Sequence, residues 1–372
     1  MSAPSSGHPA GALARAWHWS RANLFGSPLS TGFTLLLAWA AFHAVRGFVD
    51  WAFVNAVWSV PGSGAGADTS ACRAAGDAGA CWAIIPEKWR FILFGRYRYD
   101  EQWRPAVAVF LFLVLFGLTM WRRLWTRALP LCWLGAMAAI LLLMHGGVPG
   151  LPMVPTDLWG GLPVTLILAG FGLAAAFPLA VLVALCRRAH SLPLLRTVCV
   201  VYVEAVRGVP IVSVLFMASV MFPLLLPEGL NVDKLLRAGV AFTLFAAAYM
   251  SESIRGALQA IPRGQHEAAD ALGLRYWRKT TLVVLPQALR LAVPSLVNTF
   301  IGIFKDTSLV LIIGILDLLT AAQFSTLEPA WSGFSTETYL FVGVIYFAFC
   351  ATVSRYSRRL EQAAPADRTM EP

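Results

Sequence analysis

The sequence predicts an all-α integral membrane protein with about eight membrane-spanning helices, and three observations carry that reading. Of its 372 residues, 58% are hydrophobic and only 13% are charged, against roughly 25% charged in an ordinary soluble domain. Mean hydropathy is +0.66. The apolar residues also fall in runs long enough to cross a bilayer, which takes about 20 apolar residues per helix.

Eight such runs are bounded by charge, by Pro and Gly, or by Trp and Tyr. They lie near Thr31 to Val49, Pro105 to Trp121, Leu129 to Gly146, Leu162 to Leu185, Thr197 to Leu226, Ala238 to Ile254, Leu291 to Leu319 and Thr338 to Val353. The first begins behind a Ser/Pro/Gly/Ala-rich tail and reads as an uncleaved span rather than a signal peptide.

Orientation follows from the basic residues between spans, which concentrate on the cytoplasmic side. With Arg46, Arg207 and Lys305 set aside as lying within apolar runs, 18 Lys and Arg fall inside and 8 outside if both termini are cytoplasmic. Arg122, Arg123 and Arg127 belong to the inside set. Six of the outside ones crowd into the loop 50–104, which also carries six acids and five tryptophans; long loops cross with less regard to charge.

This gives a domain plan. A cytoplasmic tail covers 1–30, a three-span unit 31–147 with the outer loop 50–104, an outer linker 148–161, a five-span unit 162–356 with a cytoplasmic segment 255–290, and a second cytoplasmic tail 357–372. The net charge of +9 is accounted for by this sidedness and by anionic lipid. Without a Cys/His cluster, an RNP-like stretch or a basic amphipathic run, nucleic-acid binding is excluded.

Six cysteines show no CxxC spacing, so no zinc or thioredoxin-like site is expected and no metal is assigned. Cys72 and Cys81 share the outer loop, where a disulfide can persist. Two free thiols remain the other reading.

The informative segment is Arg255 to Arg290, too long for a simple connector. Gln265 to Leu272 is rich in helix formers and stops at Gly273, placed as a C-terminal glycine is. A second helix is expected over Tyr276 to Val284, ending before Leu285-Pro286. Glu267-Ala268-Ala269, then Gly273, then Val283, Leu285 and Pro286 resemble the coupling segment of ABC-importer membrane subunits, with Val283 where the family has Ile. Two alanines keep one face narrow, the glycine lets the chain reverse, and Glu267 offers a charged contact at the rim.

Two further stretches resemble the polar amino-acid branch of that family: Tyr202-x-Glu204-x-x-Arg207-Gly208-x-Pro210, and Ala248-Tyr249-x-x-Glu252-x-x-Arg255-Gly256. The extra N-terminal spans resemble the larger subunit of general L-amino-acid transporters. The resemblance implies a five-span type I ABC-importer permease core on the C-terminal side, in the bacterial inner membrane. It further implies a second homologous permease forming a heterodimer, two ATPase subunits and a periplasmic amino-acid-binding protein. ATP and Mg would be held by the ATPase, with no cofactor on this chain and no catalysis by it.

Glu204 with Arg207, and Glu252 with Arg255, stand at i, i+3 and are expected to close ion pairs at helix ends. Packing and gating are both open to them, and Glu252 is a candidate for the substrate path. Lys305-Asp306-Thr307-Ser308 interrupts the seventh apolar run near its middle, where charge is costly and is expected to face a cavity or a partner. Asp306, Thr307 and Ser308 are therefore candidate substrate contacts; a contact of Lys305 and Asp306 with the paired subunit is the other reading.

No Walker-type phosphate loop is present, since the sole Lys-Thr, Lys279-Thr280, follows Arg278 where that motif needs Gly. HExxH and GxSxG are absent too. A stand-alone secondary transporter or channel would explain the spans, but it leaves Glu267 to Pro286 unexplained and would commonly show internal repeats.

Overall fold

The computed structural model describes residues 12–62, 67–121, 128–189 and 191–363. The expected cytoplasmic Arg122, Arg123 and Arg127, and the ends of both tails, lie outside the described residues. The chain divides into two compact units, Met1–Ile84 and Ile85–Pro372.

The first unit contains α1 (Ala12–Asn23), α2 (Pro28–Val49) and α3 (Ser70–Ala75). Ser27 starts α2 with a capping box: its hydroxyl accepts from the Ser30 amide at 3.2 Å, and its own amide donates to the Ser30 hydroxyl at 3.0 Å. Pro28 fits the first turn because it has no amide to satisfy there. A wider π-helical turn, Asp50–Val54, carries the helix into the loop. That loop is clamped by a Cys72–Cys81 disulfide with the Cα atoms 5.4 Å apart. Around the clamp Trp58 and Trp82 stack at 6.1 Å, and the Trp82 indole donates to the Ala52 carbonyl at 2.7 Å. The Ser70 amide donates to Asp68 at 3.0 Å and holds that exposed carboxyl below its usual range.

In the second unit come α4 (Ile84–Phe94, starting at the boundary), α5 (Trp103–Thr119), α6 (Leu129–His145), α7 (Gly161–Cys186), α8 (Pro193–Arg207), α9 (Ile211–Phe216), α10 (Phe222–Leu224) and α11 (Lys234–Gln259). After them follow α12 (Arg263–Ala271), α13 (Tyr276–Lys279), α14 (Leu285–Asp306), α15 (Leu318–Ser325) and α16 (Ser335–Ala363). The core lies along α7 and α11, whose small residues, such as Ala176, Ala180, Ala246 and Ala247, are wholly buried and let the two helices approach closely. At the entry to α5 the fully buried Arg104 donates to the carbonyls of Leu143 (2.6 Å), Pro152 (2.8 Å) and Met144 (3.4 Å). The Leu143 and Met144 carbonyls belong to the last turn of α6, so one side chain serves as a cap there and, through Pro152, ties the following linker to it.

Five helices among the described residues are long and apolar enough to cross a membrane: Pro28–Val54, Tyr99–Thr119, Gly161–Cys186, Tyr276–Ile313 and Ser335–Leu360. Three of the eight expected spans differ from this pattern. The expected Thr197 to Leu226 is two helical pieces, Pro193–Arg207 and Ile211–Leu224, bent by 107°; Pro210 cannot donate the amide a continuous helix needs. Taken together, the pieces make a sixth candidate span. The expected Leu129 to Gly146 is a helix of 17 residues, short for a crossing. The expected Ala238 to Ile254 lies in α11, which is 26 residues long but carries Lys234 and Arg237 at one end and Glu252 and Arg255 at the other.

Candidate functional site: the α12–α13 segment and the charged helix ends

The coupling segment is built on α12. Its C-terminus has both bonds of a Schellman motif: the Gly273 amide donates to Asp270 O at 2.9 Å and the Leu274 amide to Ala269 O at 3.1 Å. Gly273 sits at φ +71°, a left-handed conformation in which a side chain would be strained. The reversal brings α13 back onto α12, held by Lys279 Nζ with the Asp270 carboxylate at 2.7 and 2.9 Å.

The second helix does not end before Leu285-Pro286 as expected. It runs from α13 through a π-helical turn, Thr280–Val284, directly into α14. The wider turn accommodates the proline's missing amide, and the Gln287 side chain donates to the Val283 carbonyl at 2.9 Å. Gln287 also reaches Gln265 of α12 at 3.1 Å, so the segment is strapped to the seventh span.

Its two faces differ. Ala269 and Val284 are buried, and Val283 and Leu285 are half-buried. Glu267, Ala268, Gly273 and Pro286 are exposed, and so are Leu272 (79%), Tyr276, Trp277 (66%) and Leu282. An apolar patch of that kind, rimmed by Glu267, Asp270, Arg275 and Arg278, is the composition of a protein-docking surface. The sequence reading did not single out Leu272, Tyr276, Trp277 or Leu282; an aromatic pair inside an otherwise polar loop was the available signal.

A second cluster stands at the same end of the bundle. Glu252 of α11 accepts from Arg187 Nη1 at 2.5 Å and from Arg255 through Nε at 3.1 Å and through Nη2, with Arg207 Nη1 at 3.9 Å. The expected Glu252–Arg255 pair is thus present within a larger group. The expected Glu204–Arg207 pair is not among the ion pairs of the described residues: Glu204 faces Arg187 at 3.2 Å, while Arg207 turns to Glu252 and to the Tyr249 ring at 5.5 Å. Arg187, just past the end of α7, draws Glu204 across the gap between helices. Arg188 continues the link to the Leu258 carbonyl at 3.1 Å.

The charges in the seventh span sit where α14 tightens into a 3-10 turn, Thr307–Ile313. The continuous helix runs Tyr276–Ile313 and begins with α13, so they lie in its last third while standing near the middle of the apolar run Leu291 to Leu319. Lys305 is exposed and Asp306 half-buried, without a mutual ion pair. Thr307 is fully buried, its hydroxyl donating to Phe304 O at 2.8 Å; Ser308 donates to Lys305 O at 2.8 Å. On the same helix Ser295, Asn298 and Lys305 are exposed at i, i+3 and i+10, a polar stripe on one face of a spanning helix. Ser295 bonds Ser253 of α11 at 2.7 Å, which extends the stripe to the helix that carries Glu252.

The family model for the binding-protein-dependent transport system inner membrane component matches residues 176–364. The chain is 43% identical to the inner membrane amino-acid ABC transporter permease protein YhdY of Escherichia coli, with 95% of each chain covered. It is 35% identical to the glutamate/glutamine/aspartate/asparagine transport system permease protein BztC of Rhodobacter capsulatus, with 94% of each covered. A solved structure titled as an amino acid ABC transporter with histidines is 28% identical over 54% of this chain and 91% of that chain, at a TM-score of 0.49. The coupling segment, the charged helix ends and the polar stripe all fall within the matched region, and the chain belongs to the family of inner-membrane components of binding-protein-dependent transport systems.

Proposed function

We propose that this chain is the permease subunit of an ATP-driven importer that carries amino acids across the bacterial inner membrane. The observation that carries the reading is the α12–α13 segment. It presents an exposed apolar patch outside the bundle and is strapped to α14 by Gln265–Gln287 and by a continuous helix. A push on the patch is therefore delivered to the helix that bears Ser295, Asn298 and Lys305. A stand-alone channel or secondary transporter has no use for such a surface. Amino acids as the substrate class rest on the two full-length relatives, both named as amino-acid permeases.

In this reading the ATPase docks against Glu267, Ala268 and the exposed apolar residues, while Val283, Leu285 and Pro286 join the contact to the bundle. Nucleotide and Mg stay on the ATPase. Asp306, Ser308 and Glu252 line or gate the path together with the Ser295–Asn298 stripe, and buried Thr307 shapes the turn behind them. A second permease, paired as a heterodimer, two ATPase subunits and a periplasmic binding protein complete the assembly, and both termini face the cytoplasm.

The test is uptake of a labelled amino-acid mixture into proteoliposomes holding the whole complex. Deleting Gln265 to Gly273 should abolish ATP-dependent uptake and co-purification of the ATPase. Undiminished uptake by that variant, or labelling of Glu267 from the outer face, would sink the proposal.

A further inference from the structure

The C-terminal unit holds a cavity of about 360 Å³ that nothing above uses. Three segments assigned by the loop charges to the outside meet around it, the turn after α4, the turn Thr156–Leu158 before α7 and the start of α11, and the chain between α14 and α15, at the end of the seventh apolar run, joins them. Apolar side chains including Trp159, Val164 and Ile315 form part of its lining. Three charged side chains line it as well: Arg96, Asp157 and Lys234.

None of the three closes an ion pair among the described residues. Arg96 and Asp157 are exposed and Lys234 is half-buried. The acid nearest in sequence to Lys234 is already engaged: Asp233 caps α11 through the Leu236 amide at 3.0 Å and accepts from the Thr156 hydroxyl at 2.5 Å. These bonds fasten the Thr156–Leu158 turn, and Asp157 with it, to the start of α11. Lys234 runs beside Gly314, where a Cβ would stand 3.5 Å from its Nζ, and φ at Gly314 is +72°, a conformation that favours glycine.

The volume is within the range of small-molecule sites, which combine an apolar lining with a few placed polar groups. Two cations and one anion are the charge complement of a molecule with two carboxylates and one ammonium. We propose that this cavity binds an amino acid with a carboxylate side chain, Arg96 and Lys234 taking the two carboxylates and Asp157 the α-ammonium. The guanidinium supplies paired donors for one carboxylate and the lysine a point charge for the other. This inference rests on the amino-acid reading above and narrows its substrate class, at an outward site apart from the α11–α14 stripe.

The experiment measures binding of radiolabelled L-glutamate and of radiolabelled glutarate, which lacks the ammonium, to the whole complex in nanodiscs without its binding protein. Saturable glutamate binding is expected. Arg96→Gln and Lys234→Gln should each weaken it at least tenfold, for glutarate as well. Asp157→Asn should weaken glutamate about tenfold and leave glutarate unchanged or tighter, a split that general damage to the fold does not produce. Absence of saturable binding in the unaltered complex, or identical affinities in all three variants, overturns the proposal. So does a result in which the variants weaken only capture of the binding protein, because the charges then serve protein docking. Uptake of the amino-acid mixture with binding protein and ATP is run alongside. If the unaltered complex moves no amino acid, the substrate reading itself fails; if it moves them while the variants bind glutamate normally, only the cavity assignment fails.

Discussion

Arg104 and Glu252 are both ionic side chains set among helices, yet they are held in opposite ways. Arg104 is fully buried and donates to two carbonyls in the last turn of α6 and to that of Pro152 in the linker beyond it, with Glu101 of the 3-10 turn before α5 at 3.6 Å as its carboxylate neighbour. Glu252 is only part-buried, and the groups around it are the side chains of Arg187, Arg207 and Arg255, drawn from the ends of α7, α8 and α11. Carbonyls cannot be exchanged without unwinding the helix end they belong to, whereas guanidinium groups can trade places through a rotamer change. The first arrangement is a fixed joint. The second is a joint whose partners can be reassigned when the helices shift, and it lies at the same end of α11 as the coupling segment.

The largest expected effect tests the fixed joint. Arg104→Ala removes the side-chain donor of the Leu143 and Pro152 carbonyls, while Met144 O keeps the Tyr97 hydroxyl at 2.8 Å, and each unsatisfied buried group costs about 1–3 kcal/mol. A loss of about 3 kcal/mol or more should appear as a much lower thermal midpoint of the detergent-solubilised protein and poor recovery from membranes. A midpoint within a degree of the unaltered protein would mean that the end of α6 is held by something else.

Next comes the exposed apolar surface proposed to dock the ATPase. Trp277 is 66% exposed and contributes little to the fold, but an aromatic anchor at an interface centre is worth about 2 kcal/mol or more on truncation. Trp277→Ala should weaken ATPase association on the order of 30-fold while leaving the thermal midpoint in place. Equal association of both forms would move the contact elsewhere on the segment.

Third is the exchangeable joint itself. Glu252→Gln leaves three arginines facing one another without their shared acid. Assembly should survive, but coupling free energies between sites are about 1–3 kcal/mol, so transported substrate per ATP hydrolysed should fall roughly tenfold. If transport and ATPase activity fall together, the cluster supports folding rather than coupling.

These contrasts also mark what was legible in the sequence. Five of the eight expected spans were, because a bilayer imposes a length and a polarity that a window of residues can display. The end of α12 was legible at Gly273, since the left-handed turn of a Schellman motif has a strong residue preference. Pro210 offered a sign of the break between α8 and α9 that the reading of Thr197 to Leu226 as one span passed over, and the angle of 107° is fixed by what each half packs against. Arg187 and Glu252 are 65 residues apart, so the i, i+3 rule that found Arg255 had no means of finding Arg187. The same limit explains Glu204, whose local partner Arg207 was the natural choice until α7 supplied a nearer one. Arg104 looked like one more outer-loop charge, because nothing in its neighbours announces three carbonyls contributed from 39 to 48 residues away.

The smallest effect is expected at Glu204, and it sharpens the comparison from below. Its side chain is 63% exposed and its ion pair with Arg187 spans 3.2 Å, a surface contact of the kind worth 1 kcal/mol or less, usually about half that. Arg187 keeps its shorter bond to Glu252 at 2.5 Å when Glu204 is neutralised. Glu204→Gln should therefore leave uptake within about twofold of the unaltered complex, with any difference shrinking as salt is raised. A loss as large as that of Glu252→Gln, persisting at high salt, would show that the outermost acid carries as much of the coupling as Glu252, and the three-arginine cluster would then have two centres instead of one.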